Sequence, residues 1–189
     1  MKRLEIRHTL GSMDVLVGLA RYQFVCRTFP DRNAKILDYG CGSGYGTRIL
    51  KENFRDVVSF DQYPDGYRPD GLEVITDPAS LRGKNFGIIT CFEVIEHMDE
   101  TSQNELMDEL SSLLHPAGTL YISTVRKMDP PPTENRRKWH VRELSFEELL
   151  GFCQKRFRNV YTFGQIDQVI STFNRENCYH NLFVCTVRL

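Results

Sequence analysis

The stretch from Lys35 to Thr47, Lys-Ile-Leu-Asp-Tyr-Gly-Cys-Gly-Ser-Gly-Tyr-Gly-Thr, limits what this chain can fold into more than any other. Lys35 to Tyr39 read as a short buried strand. Gly40, Gly42, Gly44 and Gly46 follow, where a backbone can turn sharply or let a ligand approach closely. A helix is expected from about Gly44 to about Asn53. A strand that runs through glycines into a helix N-terminus offers free backbone N–H groups and the positive end of a helix dipole to a nucleotide-like ligand. The spacing is G-x-G-x-G with Asp38 two places before the first glycine, and Tyr45 occupies the place of the third glycine in the dinucleotide pattern. Taken alone, the loop fits either a cofactor cradle or a plain structural turn.

The rest of the chain points to an α/β fold. Val15, Leu16, Leu19, Tyr22 and Val25 recur at spacings of three and four, which predicts an amphipathic helix from Met13 to Phe29 ended by Pro30 and Asp31. Further strands are predicted at Val57 to Phe60, Leu72 to Ile75, Phe86 to Cys91 and Thr119 to Thr124, then at Val160 to Phe163 and Leu182 to Val187. Pro64, Gly66, Pro69 and Gly71 predict a loop before the strand at Leu72 to Ile75. Ser102 with Glu105 and Ser145 with Glu148 have the spacing of capping boxes for two helices, the second reaching about Phe157. Asp129 to Lys138 reads as a surface loop, and a long connection with Asn174, Asn177 and His180 precedes the last strand.

Strand and helix alternate in the manner of a doubly wound, Rossmann-like parallel sheet, whose ligands sit outside the carboxyl ends of the strands. Those ends carry Asp38 to Gly46, Asp61, Asp77 and Glu93 to His97. Asp61 is placed to accept hydrogen bonds from two ribose hydroxyls, and Asp77 from an adenine amino group. The alternative for each is a solvated acid that caps a turn. With 189 residues, one domain is expected. Lys plus Arg number 24 against 25 Asp plus Glu, so no global field draws the chain to nucleic acid. The six cysteines form no C-x-x-C pair and no stretch has the length of a membrane span, so a reduced, cytoplasmic protein without membrane association is expected.

The sequence resembles the class I S-adenosylmethionine-dependent methyltransferases. The resemblance rests on LDYGCGSGYGT, VSFDQYP, VITD and FGIITCFEVIEHM followed by LLHPAGTLYIS, in order over about residues 13 to 124. It implies seven strands with the last antiparallel, and S-adenosyl-L-methionine as cofactor. The cofactor's methionine end would lie near Asp38, the loop of Gly40, Gly42 and Gly44, and the turn after Cys91. Asp61 would hold the ribose and Asp77 the adenine amino group. Gln62 departs from the family, which has an apolar residue under the adenine; the aliphatic stem of Gln62 is expected to serve.

Methyl transfer chiefly requires alignment of a nucleophile, with a base only for a poorly acidic hydroxyl or amine. His97 and His140 are the candidate bases. Two enzyme readings stay open. The stretches ARYQF and HVREL-S resemble bacterial methyltransferases of small molecules and glycans, in which Arg21, Tyr22 and the first helix would close over the cofactor. Glu93, Glu96, His97 and His140 resemble instead the E-x-x-E-H plus distal histidine of small-RNA 3′-terminal 2′-O-methyltransferases, where they would bind Mg²⁺ or Mn²⁺. Trp139 replaces the aspartate usual before the distal histidine. Residues 126 to 143 hold six basic groups against three acidic ones, which suits either a phosphate-bearing substrate or a solvated loop. A third reading, a catalytically silent cofactor-binding subunit working through a partner, stays open beside them.

Overall fold

The computed structural model describes residues 13–64, 71–131, 133–172 and 177–189. The expected loop positions Gly66 and Pro69, and Asn174 in the later connection, lie outside these residues. Helix α1 (Met13–Thr28) precedes strand β1 (Lys35–Tyr39), helix α2 (Tyr45–Asn53), strand β2 (Asp56–Phe60) and strand β3 (Phe86–Phe92). Then come α3 (Glu100–Leu113), β4 (Leu114–Val125), the short α4 (Glu134–Trp139), α5 (Phe146–Gln154), β5 (Phe157–Ile166), β6 (Val169–Ser171) and β7 (His180–Arg188). No described helix is long and apolar enough to cross a membrane.

The strands form one seven-stranded sheet in the order β2-β1-β3-β4-β7-β5-β6. From β2 to β4 the neighbours are parallel, and β7 runs antiparallel between β4 and β5, as expected of the last strand. Because side chains alternate along a strand, Ile36 and Ile88 face the cluster under α1 and α2, whereas Leu37 and Ile89 face the one under α3 and α5. Leu106, Met107 and Leu110 of α3 fill the second cluster and are almost wholly buried. Removing one such side chain to alanine costs about 2–5 kcal/mol.

Several elements differ from the sequence reading. Leu72 to Ile75 is no strand: Ile75 makes one parallel bridge to Phe60, while the Glu73 carbonyl is taken by the Ser59 hydroxyl instead of a ladder N–H. The seventh strand is β6, inside the expected connection, and pairs with β5. Helix α3 starts one turn before the expected Ser102, because Asp99 caps it by accepting from the Ser102 N–H at 2.9 Å. The Ser145–Glu148 capping box forms as expected, but α5 stops at Gln154 and Phe157 opens β5. Part of the expected surface loop is α4, capped by Thr133.

Candidate active site

Four elements meet at the carboxyl end of β1. The N–H groups of Gly40 and Cys41 both donate to the Phe60 carbonyl, at 2.8 and 3.0 Å, which folds the loop across the end of β2. Gly40 has φ +78°, and a methyl group there would come within 2.3 Å of Val94 Cγ2. At Gly46 the same methyl would lie 1.9 Å from Tyr22 Cζ. Both positions therefore exclude any side chain. Gly44, at φ 82°, ends the loop as the N-cap of α2.

Asp38 points inward. Its carboxylate accepts from Tyr22 Oη at 3.1 Å, Thr90 Oγ1 at 2.8 Å and Thr47 Oγ1 at 2.5 Å. Burial pushes its pKa up to about 6 although all three hydroxyls favour the ionised form. It does not line the cavity above the loop, so it braces α1, α2 and β3 against β1. Among the other expected cofactor residues, Gly44 and the fully buried Cys91 also stay off the cavity wall. Asp77 is exposed, caps a 3-10 turn, Pro78–Leu81, by accepting from the Ala79 N–H at 2.9 Å, and is not on the cavity wall.

The cavity itself has a volume of about 640 Å³. Gly40, Gly42, Asp61, Gln62 and Tyr22 line it, together with Glu93, His97 and His140 from the opposite side. Asp61 is buried at the end of β2, where its two carboxylate oxygens accept the N–H groups of Gly42 and Tyr63, each at 2.8 Å. The space beside Gly42 is open, with no atom within 4 Å of where a Cβ would stand. The Ser43 hydroxyl, also on the cavity wall, is buried without a hydrogen-bond partner. An open notch, an unsatisfied hydroxyl and a buried acid together fit a polar nucleoside-bearing ligand.

On the far wall two histidines face each other, with ring centroids 5.2 Å apart. His97 Nδ1 lies 2.9 Å from the Trp139 carbonyl, which can only accept, so the imidazole donates from Nδ1. His140 Nδ1 sits 2.6 Å from Glu143 Oε1. Glu143 also takes Arg136 in a two-pronged pair at 2.8 and 2.7 Å. Burial works against the Glu143 carboxylate, but Arg136 and His140 outweigh it and hold its pKa below the ordinary value.

Glu93 and Glu96 part company. Glu93 adopts φ 56°, accepts from Ser123 Oγ at 2.7 Å, and lies 3.4 Å from both Arg21 and His180. Burial opposes its ionisation, but Arg21, His180 and the Ser123 hydroxyl hold its pKa down. Burial, and then the Glu93 charge, push Glu96 well above its ordinary value, although Thr124 Oγ1 donates to it at 2.9 Å. Glu96, His97 and His140 each bring one ligand atom within 4.8 Å of the others. Three of the four expected residues thus converge, while Glu93 lies beside Arg21.

The basic excess of residues 126–143 is also reduced by pairing. Arg136 is bound to Glu143 and Arg142 to Glu148, so neither stands as an unpaired cation. Arg136 and Trp139, first read as loop residues, line the cavity. Gln103 was missed; it is fully buried on the α3 face that carries Leu106, Met107 and Leu110. A polar residue on that apolar face was the signal in the sequence.

A methyltransferase domain profile matches residues 19–177. The ubiquinone biosynthesis O-methyltransferase of Xylella fastidiosa is 26% identical over 120 residues, covering 57% of this chain and 48% of that protein. The chain spans about half the length of the curated relatives it matches. The Burkholderia thailandensis 1,6-didemethyltoxoflavin-N1-methyltransferase, solved with S-adenosylhomocysteine, superposes with a TM-score of 0.66 at 15% identity, over 93% of this chain and 77% of that one. The methyltransferase domain of a bacterial Hen1 superposes with a TM-score of 0.66 at 21% identity, over 90% of this chain and 98% of that one.

Proposed function

Since the chain belongs to the methyltransferase domain family, we propose that it is an S-adenosylmethionine-dependent O-methyltransferase of a small molecule or sugar derivative. The observation that carries this reading is one cavity walled by Asp61 and the glycine loop on one side and by the His97–His140 pair on the other. Asp61 would accept the ribose hydroxyls, and the notch at Gly42 with the Ser43 hydroxyl would receive the polar end of the cofactor. Bound there, the cofactor supplies an electrophilic methyl group on its sulfonium. The chain's own work is to align the acceptor oxygen, which can contribute roughly 7–11 kcal/mol, and to take its proton. His140 suits that task, because an ionised Glu143 at Nδ1 fixes the tautomer that leaves Nε2 basic. Trp139 and Arg136 would contact the body of the acceptor.

Calorimetry with S-adenosylhomocysteine tests the cofactor half. Asp61→Ala is expected to weaken binding about 10- to 100-fold, from the loss of hydrogen bonds to a charged group. Unchanged binding would overturn the assignment. Transfer from labelled S-adenosylmethionine to hydroxylated metabolites tests the acceptor half, with His140→Ala expected to lower kcat.

A second reading is favoured by the cluster of Glu96, His97 and His140. Two imidazoles whose Nδ1 atoms are engaged by a carbonyl and a carboxylate, with one acid, form a donor set that fits a divalent cation such as Mg²⁺ or Mn²⁺. Such an ion would acidify a hydroxyl, as at the 3′ end of an RNA. Titrating Mn²⁺ into the S-adenosylhomocysteine complex separates the two: micromolar binding abolished by Glu96→Ala and His140→Ala supports the metal-assisted reaction, and no binding leaves His140 as the base.

A further inference from the structure

The two histidines sit on segments far apart in sequence, the turn at 95–97 and the loop at 139–143. Two ties join these segments directly. His97 Nδ1 bonds the Trp139 carbonyl at 2.9 Å, and the Arg142 N–H donates to the Glu96 carbonyl at 3.1 Å. A further group spans both. The Gln103 side-chain amide donates to the Ile95 carbonyl at 2.9 Å and to the Arg142 carbonyl at 2.8 Å, and its oxygen accepts from Arg142 Nη1 at 2.6 Å. Both of its N–H groups are therefore used, one on each segment. Arg142 Nη2 continues the chain to Glu148 Oε1 at 2.6 Å, and Glu148 Oε2 accepts the Ser145 N–H at 2.8 Å in the cap of α5.

Gln103 occupies a place where leucine or methionine would pack, and burying an amide costs free energy unless each polar atom is satisfied. Neither Gln103 nor Arg142 lines the cavity. We infer that Gln103 and Arg142 are positioning residues: a clamp between α3 and α5 that holds the turn of His97 and the loop of His140 in one register, and so fixes the distance between the two rings. The inference rests on reading that pair as the acceptor side of the site. It assigns the clamp no contact with cofactor or acceptor. A displacement of about 1 Å between reacting groups can cost about 100-fold in rate, so the clamp acts on kcat.

The test uses the full ¹⁵N-labelled chain saturated with S-adenosylhomocysteine, as wild type, Gln103→Met and Arg142→Lys. Gln103→Met keeps the buried volume and removes all three hydrogen bonds. Imidazole ¹H–¹⁵N spectra, cofactor affinity and turnover are measured on each. The wild type is expected to show a protected His97 Nδ1–H. In Gln103→Met that signal broadens or disappears, cofactor affinity stays within about twofold, and kcat falls at least about tenfold with KM for S-adenosylmethionine unchanged. Arg142→Lys gives a smaller change of the same kind and carries the test if Gln103→Met does not fold. Unchanged imidazole signals in the folded variants, or no protected Nδ1–H in the wild type, overturn the inference. Imidazole signals that respond in a chain with no methyl transfer to any acceptor leave the clamp standing and remove the catalytic reading.

Discussion

Gly40 and Cys41, on the floor of the cavity, are fixed by main-chain hydrogen bonds to one carbonyl of β2, whereas His140, on the far wall, is fixed by the side chain of Glu143 and through it by Arg136. The floor comes from one short stretch and its neighbouring strand, and its shape is set by backbone that no side chain can replace. The wall comes from segments more than forty residues apart, where side chains take a larger share: Glu143 holds His140 and Arg136, and the Gln103 amide reaches both segments. A site divided in this way can change its acceptor while it keeps its cofactor. Floor variants should therefore lose folding and cofactor binding together, and wall variants should lose turnover alone.

The hardest blow to the contrast would come at Gly40. Gly40→Ala forces a side chain into a left-handed conformation and against Val94, at roughly 2–6 kcal/mol in all. Denaturant unfolding and calorimetry should show lost stability and lost S-adenosylhomocysteine binding. A stable variant that still binds would mean that the floor is not defined by its backbone.

Asp38 sharpens the same side through pH. Its pKa rises from 3.8 to about 6 in the folded chain, which therefore holds this proton more tightly than the unfolded one. The stabilising contribution is fully present below about pH 4, is lost as pH rises through about 6, and amounts to about 3 kcal/mol. Asp38→Asn should remove that slope. The stability difference between variant and wild type, measured by denaturant titration, should thus shift toward the variant between those two pH values; parallel curves would sink the idea.

On the wall, Glu143→Gln should lower kcat about 10- to 100-fold and leave cofactor affinity unchanged, because it weakens the hold on His140 and on Arg136 but touches nothing on the floor. Equal losses of both would merge the two regions. The smallest effect is expected from Ser145→Ala, which opens the capping box of α5 for about 1 kcal/mol, read as a lower Tm with cofactor affinity kept.

The same division explains what could be read from the sequence. Gly40, Gly42 and Asp61 announce themselves, because glycines directly after one strand and an acid directly after the next are visible from position alone. Short runs of consecutive apolar residues, Ile36-Leu37, Ile88-Ile89 and Leu182 to Cys185, placed β1, β3 and β7, because strands buried on both faces need apolar residues on both. Leu72 to Ile75 has the composition of a strand, but strand formation depends on a partner ladder, and β2 offers it a single bridge. Asp77 follows an expected strand as Asp61 does, yet its side chain caps a turn, a contact that position alone does not show. Arg136 and Arg142 contribute to a local charge excess when counted, and only tertiary contacts show each neutralised by a glutamate. Gln103 was legible in principle as a misplaced amide, but its two carbonyl partners lie on segments that only the fold brings together.

The position of β7 also sets an order for assembly. This strand comes late in the chain, yet it lies between β4 and β5 and pairs along nearly its whole length with both. During synthesis, β5 and β6 can form a ribbon with each other but have no edge of the main sheet to join until residues 180–188 have left the ribosome. Until then β4 presents an unpaired edge, a template for pairing with other chains. The strands beneath the glycine loop, β1, β2 and β3, pair with one another through residues no later than Cys91 and need none of this late segment.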